Sequence, residues 1–327
     1  MPYARNSIDG TRVYFEDDGG GGAPVVFYGG LVDSVEAVRV SPIAQALPAD
    51  RFRLVYVDHR GVGRSDKPHQ RAAYAMRLRV ADAVSVLDSL GVLGAHFVGT
   101  SYGGRLCFGI GEHAPDRVLS LVIGGQQPYR MDPDTALGRM ITESLAASRA
   151  GGTMEPFVDA LEKWAGAPLP DDKRALWLDN DPAAIEAASA AMLAEGDVAV
   201  NLRSWQFRCL LFVGAADVDF FDGAQRAAGE IPNAEFVPLA GLDHIGAHLD
   251  QDPVLAAVLR TLDADAQGDA DAQGGRRCLG ARTRRAWCGR WRGAPDQRTL
   301  SRIEEVRGSA PRRGRTRLVG SGCWACR

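Results

Sequence analysis

The chain has 327 residues, 46% of them hydrophobic, and a formal net charge of −3 at pH 7, which suits one large domain or two small ones and singles out no polyanionic partner. No apolar run approaches the ~20 residues of a membrane helix. The opening "MPYARNSIDG" lacks the apolar segment of a signal peptide, so a cytoplasmic address is the expectation. Six cysteines are too few for a disulfide framework, and Cys107 and Cys209 sit in apolar runs as small core residues.

The average charge hides a break in composition. Residues 265–327 hold 15 Arg, no Lys and 6 acidic residues, a net of +9, which leaves a net of −12 on residues 1–264. Four of the six cysteines also lie in that tail, whose apolar periodicity is poor. The tail reads as a basic, disordered extension, and nucleic-acid contact is expected only through it. Cys323 and Cys326 form a lone CxxC pair, without the second pair of ligands that zinc needs.

Along residues 1–264, strand-like runs alternate with helical ones. "TRVYFED" and "APVVFYGG" flank the run Gly19 to Gly22, which predicts a hairpin connection; no Lys-Ser or Lys-Thr follows, so a phosphate-binding loop is excluded. "FRLVYVD" (Phe52 to Asp58) is a short apolar run of the kind buried in parallel sheets. In "RVADAVSVLDSLGV", Val80, Val84, Leu87 and Leu90 share a helical face that stops at Gly91. Then come strand "AHFVG", helix "RLCFGIGEHAP" and strand "VLSLVIGG".

From Gln126 to Arg203 the alternation breaks into helices. The clearest of these has Asp181 as N-cap, Pro182 at the first turn and Gly196 as the stop. After it follow strand "RCLLFVGAAD", helix "DGAQRAAGEIP", strand "AEFVPLA" and helix "PVLAAVLRTL". The pattern predicts an α/β domain with a mainly parallel sheet flanked by helices. Residues 1–125 and 204–264 form its core, and 126–203 a helical cap inserted before the strand that carries the candidate acid.

"GTSYG" places Ser101 between glycines where a strand gives way to a helix, the setting of a nucleophile elbow. Glycines relieve crowding at such a corner, and the helix N-terminus favours a developing oxyanion. A serine hydroxyl needs a base, and the base an orienting acid. His244, in "LAGLDHIG" just beyond the last strand, is the candidate base; His248 is close by, nearer the final helix, where an imidazole packs or meets water. Asp217 follows strand "LLFVG" as the candidate acid, with Asp219 and Asp222 as neighbouring alternatives. His59, His69, His96 and His113 have structural or surface explanations.

These segments together resemble the α/β-hydrolase superfamily over about residues 5–262. "VVFYGGLVDS" resembles its apolar-His-Gly-oxyanion stretch, "DHRGVGRS" its Asp-x-Arg-Gly-x-Gly-x-Ser loop, and "VGTSYGG", "VGAAD" and "GLDH" its nucleophile, acid and histidine loops. The resemblance implies Ser101 as nucleophile, His244 as base and then acid, Asp217 as its orienter, and the backbone amides of Leu31 and Tyr102 as oxyanion donors. One departure stands out: Gly29 replaces the histidine of His-Gly.

A serine at the elbow implies acyl transfer to water, with no metal or organic cofactor and a small-molecule substrate as the partner. A small uncharged ester, thioester or lactone is expected, since no Arg or Lys cluster marks the cap. Met131, Met140, Met154, Trp164, Trp177 and Met192 either line an acyl pocket or pack the cap helices on the core. Carbon–carbon hydrolysis, perhydrolase or lyase chemistry, or a non-catalytic ligand-binding role, are the alternatives on the same scaffold.

Overall fold

Eight strands form one sheet in the order β1 (Tyr3–Arg5), β2 (Arg12–Asp17), β4 (Phe52–Val57), β3 (Ala23–Tyr28), β5 (Ala95–Thr100), β6 (Val118–Gly124), β7 (Arg208–Gly214) and β8 (Ala234–Leu239) in the computed structural model, which describes residues 2–272. The basic tail beyond Ala272, with Cys323, Cys326 and the nucleic-acid contact read from it, lies outside the described residues. From β4 to β8 all neighbours run parallel, while β1 and β2 pair antiparallel at the edge.

The expected hairpin between β2 and β3 does not form. Instead β4 lies between them, paired antiparallel to β2 and parallel to β3. The burial pattern supplies a reason: Val25, Val26, Phe27 and Tyr28 of β3 are all buried, which an interior place covers on both faces. The glycine run carries the chain across the end of β4, where a Cβ on Gly22 would lie 1.9 Å from the Arg51 carbonyl oxygen.

Helices α1 (Val35–Arg39), α2 (Pro42–Ala46), α3 (Met76–Leu90), α4 (Tyr102–His113), α5 (Ala136–Gly151), α6 (Glu155–Ala165), α7 (Asp171–Leu178), α8 (Pro182–Ala194), α9 (Phe221–Glu230), α10 (His244–Leu249) and α11 (Leu255–Ala272) complete the described chain. Thus α11 continues past the boundary expected at Ala264. None of the described helices is long and apolar enough to cross a membrane.

Helices α5 to α8 all fall between β6 and β7. An apolar cluster joins their Leu137, Ile141, Phe157 and Ile185 to Tyr102 and Ile245 of the core. Asp181 caps α8 as expected, accepting from the amides of Ala183 and Ala184 at 2.9 and 3.1 Å. The helix ends before Gly196, however, because Glu195 turns to extended geometry and gives its carboxylate to Arg79 and Arg105 of the core. Arg105 also donates to the carbonyls of Gln127, Tyr129 and Gly196, so one buried guanidinium holds both ends of the insertion.

Candidate active site

The carboxyl ends of β3, β5, β6 and β7 lie side by side, as their registers Tyr28↔Gly99, Thr100↔Gly124 and Gly124↔Phe212 require. The loops that follow these strands therefore converge on one edge, the usual place for a site in such a sheet. Ser101 stands at the end of β5 with φ 51° and ψ −114°, the one non-glycine residue with positive φ among those described. That geometry costs about 1–3 kcal/mol and persists only where the surroundings over-determine it. Here the Ser101 amide donates to the Gly124 carbonyl at 2.8 Å, and its carbonyl accepts from Arg105 in the first turn of α4 at 3.0 Å.

The flanking glycines are steric necessities. A Cβ on Gly99 would lie 2.4 Å from the Gly103 oxygen, and one on Gly103 would lie 2.4 Å from the Tyr28 oxygen. Strand and helix meet too closely there for any side chain.

Three of the residues read from the sequence meet in one line. His244 Nε2 lies 3.1 Å from Ser101 Oγ, and His244 Nδ1 lies 2.8 Å from Asp217 Oδ2. His244 is the first residue of α10 rather than part of the loop before it, and Asp243 caps the helix by accepting from Gly246 at 2.7 Å. Asp217 is buried, and among the described residues its Oδ1 has no hydrogen-bond partner. The rings of Phe220 and Trp164 lie 4.9 and 6.1 Å from the imidazole of His244. The alternatives are placed elsewhere: Asp219, its carboxyl pushed up by burial and by the Asp217 charge, bonds Thr135, and Asp222 is exposed on α9.

Of the two settings the sequence leaves open for His248, packing or water, the structure shows packing, its ring centroid 6.4 Å from that of Trp177. One turn beyond His244, it is 11% exposed, with Nε2 lying 2.8 Å from Asp33 Oδ2. The same carboxylate accepts from the Gly30 amide at 2.8 Å and, on Oδ1, from Trp177 Nε1 at 2.8 Å, with Lys173 Nζ at 3.8 Å. Burial opposes ionisation of Asp33, but His248, Lys173 and the indole N–H outweigh it and hold the carboxyl well below its ordinary range. Burial pushes His248 down despite the pull of Asp33.

Sequence reasoning missed Asp33 and set His59 aside. His59 is buried, its Nε2 lies 3.1 Å from the Gly30 carbonyl oxygen, and its ring centroid lies 4.8 Å from that of Tyr102. The replacement at position 29 was the available signal. A Cβ there would lie 2.4 Å from the Cβ of Asp33 and 2.7 Å from Val38 Cγ2, so no histidine fits.

A cavity of about 70 Å³ opens on Ser101 and His244. Leu31 and Tyr102 line it, as do Met131, Trp164, Trp177 and Met192; Met140 and Met154 instead pack among the insertion helices. Beside it, in the loop after β4, Asp58 accepts from the amides of Val35 and Arg64 at 2.6 and 2.8 Å. Burial raises the Asp58 carboxyl to about 6 although both bonds oppose it. Its role is to hold the loop.

The family model described as the alpha/beta hydrolase fold matches residues 23–177. The bottromycin epimerase BotH, solved in complex with bottromycin A2, superposes with a TM-score of 0.68 at 21% identity, over 80% of this chain and 98% of that one. The enol-lactonase of Burkholderia xenovorans LB400 gives a TM-score of 0.64 at 20% identity, over 80% and 99%. The chain thus has the α/β-hydrolase fold, with that family's model matched over residues 23–177. In sequence, it is 27% identical to the putative carbamate hydrolase RutD of Caulobacter segnis, over 62% of this chain and 78% of that protein. The protein of the same name from Caulobacter sp. (strain K31) is 40% identical over 25% of this chain, which there spans only 30% of the relative's length.

Proposed function

We propose that this α/β-hydrolase cleaves a small, uncharged carboxylic ester, thioester or lactone through an acyl-enzyme on Ser101. One observation carries the reading: the Ser101–His244–Asp217 line of 3.1 and 2.8 Å, set on a strained corner at a helix N-terminus. In acylation, the Ser101 hydroxyl proton passes to His244 Nε2 as Oγ bonds the carbonyl carbon. The amides of Leu31 and Tyr102 receive the oxyanion, and Asp217 keeps the Nδ1 proton in place. His244 then protonates the departing alcohol or thiol. In deacylation, water gives a proton to His244 and attacks the acyl carbon, and Ser101 Oγ leaves with that proton.

Substrate class follows from the cavity. Its ~70 Å³ is well below the ~300–1,000 Å³ of pockets for drug-sized ligands, and neither Lys nor Arg lines it. Such a pocket suits a short, neutral acyl group beneath a cap formed by residues 126–203. The names of the relatives agree with acyl transfer, since a carbamate and an enol-lactone both present a carbonyl carbon to a nucleophile.

The test is labelling by a fluorophosphonate probe, followed by turnover of short p-nitrophenyl esters and lactones. The wild type is expected to label and to turn over. Ser101→Ala is expected to do neither, losing ~10⁴-fold or more in kcat while its circular dichroism is unchanged. Undiminished turnover by a folded Ser101→Ala protein would remove the assignment.

A further inference from the structure

The Gly29–Asp33 loop is held from several sides, with bonds on both peptides of Gly30. The Gly29 carbonyl accepts from the Gly103 amide in the first turn of α4 at 3.0 Å. The Gly30 amide donates to Asp33 Oδ2 at 2.8 Å. The Gly30 carbonyl receives the Asp33 amide at 3.2 Å and faces His59 Nε2 at 3.1 Å. Among the described residues, the Leu31 amide has no such acceptor.

Peptide planarity turns this pattern into a direction. The Gly30 carbonyl and the Leu31 N–H belong to one trans peptide, so they point opposite ways. A donor that fixes the carbonyl on the His59 side therefore aims the N–H at the other side, where Leu31 and Ser101 line the same cavity.

We propose that His59 and Asp33 are positioning residues for the oxyanion hole: they clamp the two peptides on either side of Gly30, Asp33 the Gly29–Gly30 peptide and His59 the Gly30–Leu31 peptide, the task left open by glycine at position 29. The proposal rests on the reading of Ser101 as an acyl-transfer nucleophile. His59 must carry its proton on Nε2 to donate to Gly30, whichever partner its Nδ1 has; Nδ1 lies 3.0 Å from the Arg60 carbonyl oxygen. Its ring also packs on the side-chain ring of Tyr102, the residue whose amide is the second donor. Asp33 completes the clamp with its charge. It accepts from Gly30, Trp177 and His248 at once, which a neutral amide with one acceptor oxygen cannot do.

The experiment compares wild type, His59→Leu, His59→Gln and Asp33→Asn. It measures kcat and KM for a short p-nitrophenyl ester and the affinity for an aryl trifluoromethyl ketone, which adds to Ser101 Oγ to form a tetrahedral oxyanion. His59→Leu is expected to lower kcat and ketone affinity together by about ten- to a hundredfold, with KM changed less than about twofold. His59→Gln, which keeps an N–H donor of similar reach, is expected to recover most of the loss. Should His59→Leu fail to fold, Asp33→Asn reads the same split. A folded His59→Leu with wild-type kcat and ketone affinity, or an equal loss in His59→Gln, overturns the clamp alone. A wild type that neither labels at Ser101 nor turns over overturns the reading of Ser101, and the clamp with it.

Discussion

Helix α10 carries two histidines one turn apart, and each lies 2.8 Å from a buried aspartate: His244 from Asp217, and His248 from Asp33. Residues at i and i+4 share a helix face, so both imidazoles look toward the carboxyl edge of the sheet. Their chemistry differs in what lies beyond the ring. His244 gives Nδ1 to its carboxylate and keeps Nε2 on the Ser101 hydroxyl. His248 turns Nε2 onto Asp33 itself, and Asp33 in turn grips the Gly30 amide and the indole of Trp177. The first pair leads to the Ser101 hydroxyl and the second to a backbone peptide. Residue type is the same in both; on the proposed reading, which nitrogen meets the carboxylate separates a proton relay from a tether.

The relay predicts the larger effect. His244→Ala is expected to lower kcat for a short ester by at least about a hundredfold, the ordinary value of general-base assistance. Adding Asp217→Asn to it is expected to cost little more, since an orienter has nothing left to orient. Kinetics of the single and double variants check this. A further large loss in the double variant would mean that Asp217 acts on something besides His244.

The tether predicts a smaller loss of another kind. His248→Ala removes one of the N–H groups on Asp33 while leaving those of Gly30 and Trp177. A kcat loss of about tenfold is expected, some 1.4 kcal/mol of barrier, with Ser101 still labelled by a fluorophosphonate. If His248→Ala abolished labelling while His244→Ala did not, the roles of the two pairs would have to be exchanged.

The three residues of the proposed relay were legible in the sequence and those of the tether were not. Ser101, Asp217 and His244 each follow a strand, so local pattern and chain order suffice to name them. Asp33, His59, Trp177 and His248 are spread over the chain and meet only once β3, β4 and β7 lie in register and the helical insertion has packed on them. The β2–β3 connection across β4 escaped for the same reason: long-range pairing leaves no periodic mark, and a glycine run reads as a hairpin. The stop at Glu195 escaped because two arginines of the core overrule the local signal at Gly196.

The mildest test acts from the insertion side. Trp177 on α7 donates Nε1–H to Asp33 Oδ1 at 2.8 Å, and Asn180 just beyond the same helix donates Nδ2–H to the Val32 carbonyl at 2.9 Å. Trp177→Phe keeps an aromatic ring in the cavity wall and removes the first of these bonds. A hydrogen bond to a charged group is worth about 1.5–3 kcal/mol, so thermal or urea unfolding is expected to report a destabilisation in that range. The effect on kcat is expected to be only a few-fold, because Asn180, Gly30 and His248 still hold the loop and Asp33. Ester kinetics beside an unfolding curve separate the two readouts. Were Trp177→Phe to cost as much kcat as His244→Ala, the tether would be as indispensable as the relay, and the two pairs would have to be treated as one coupled unit.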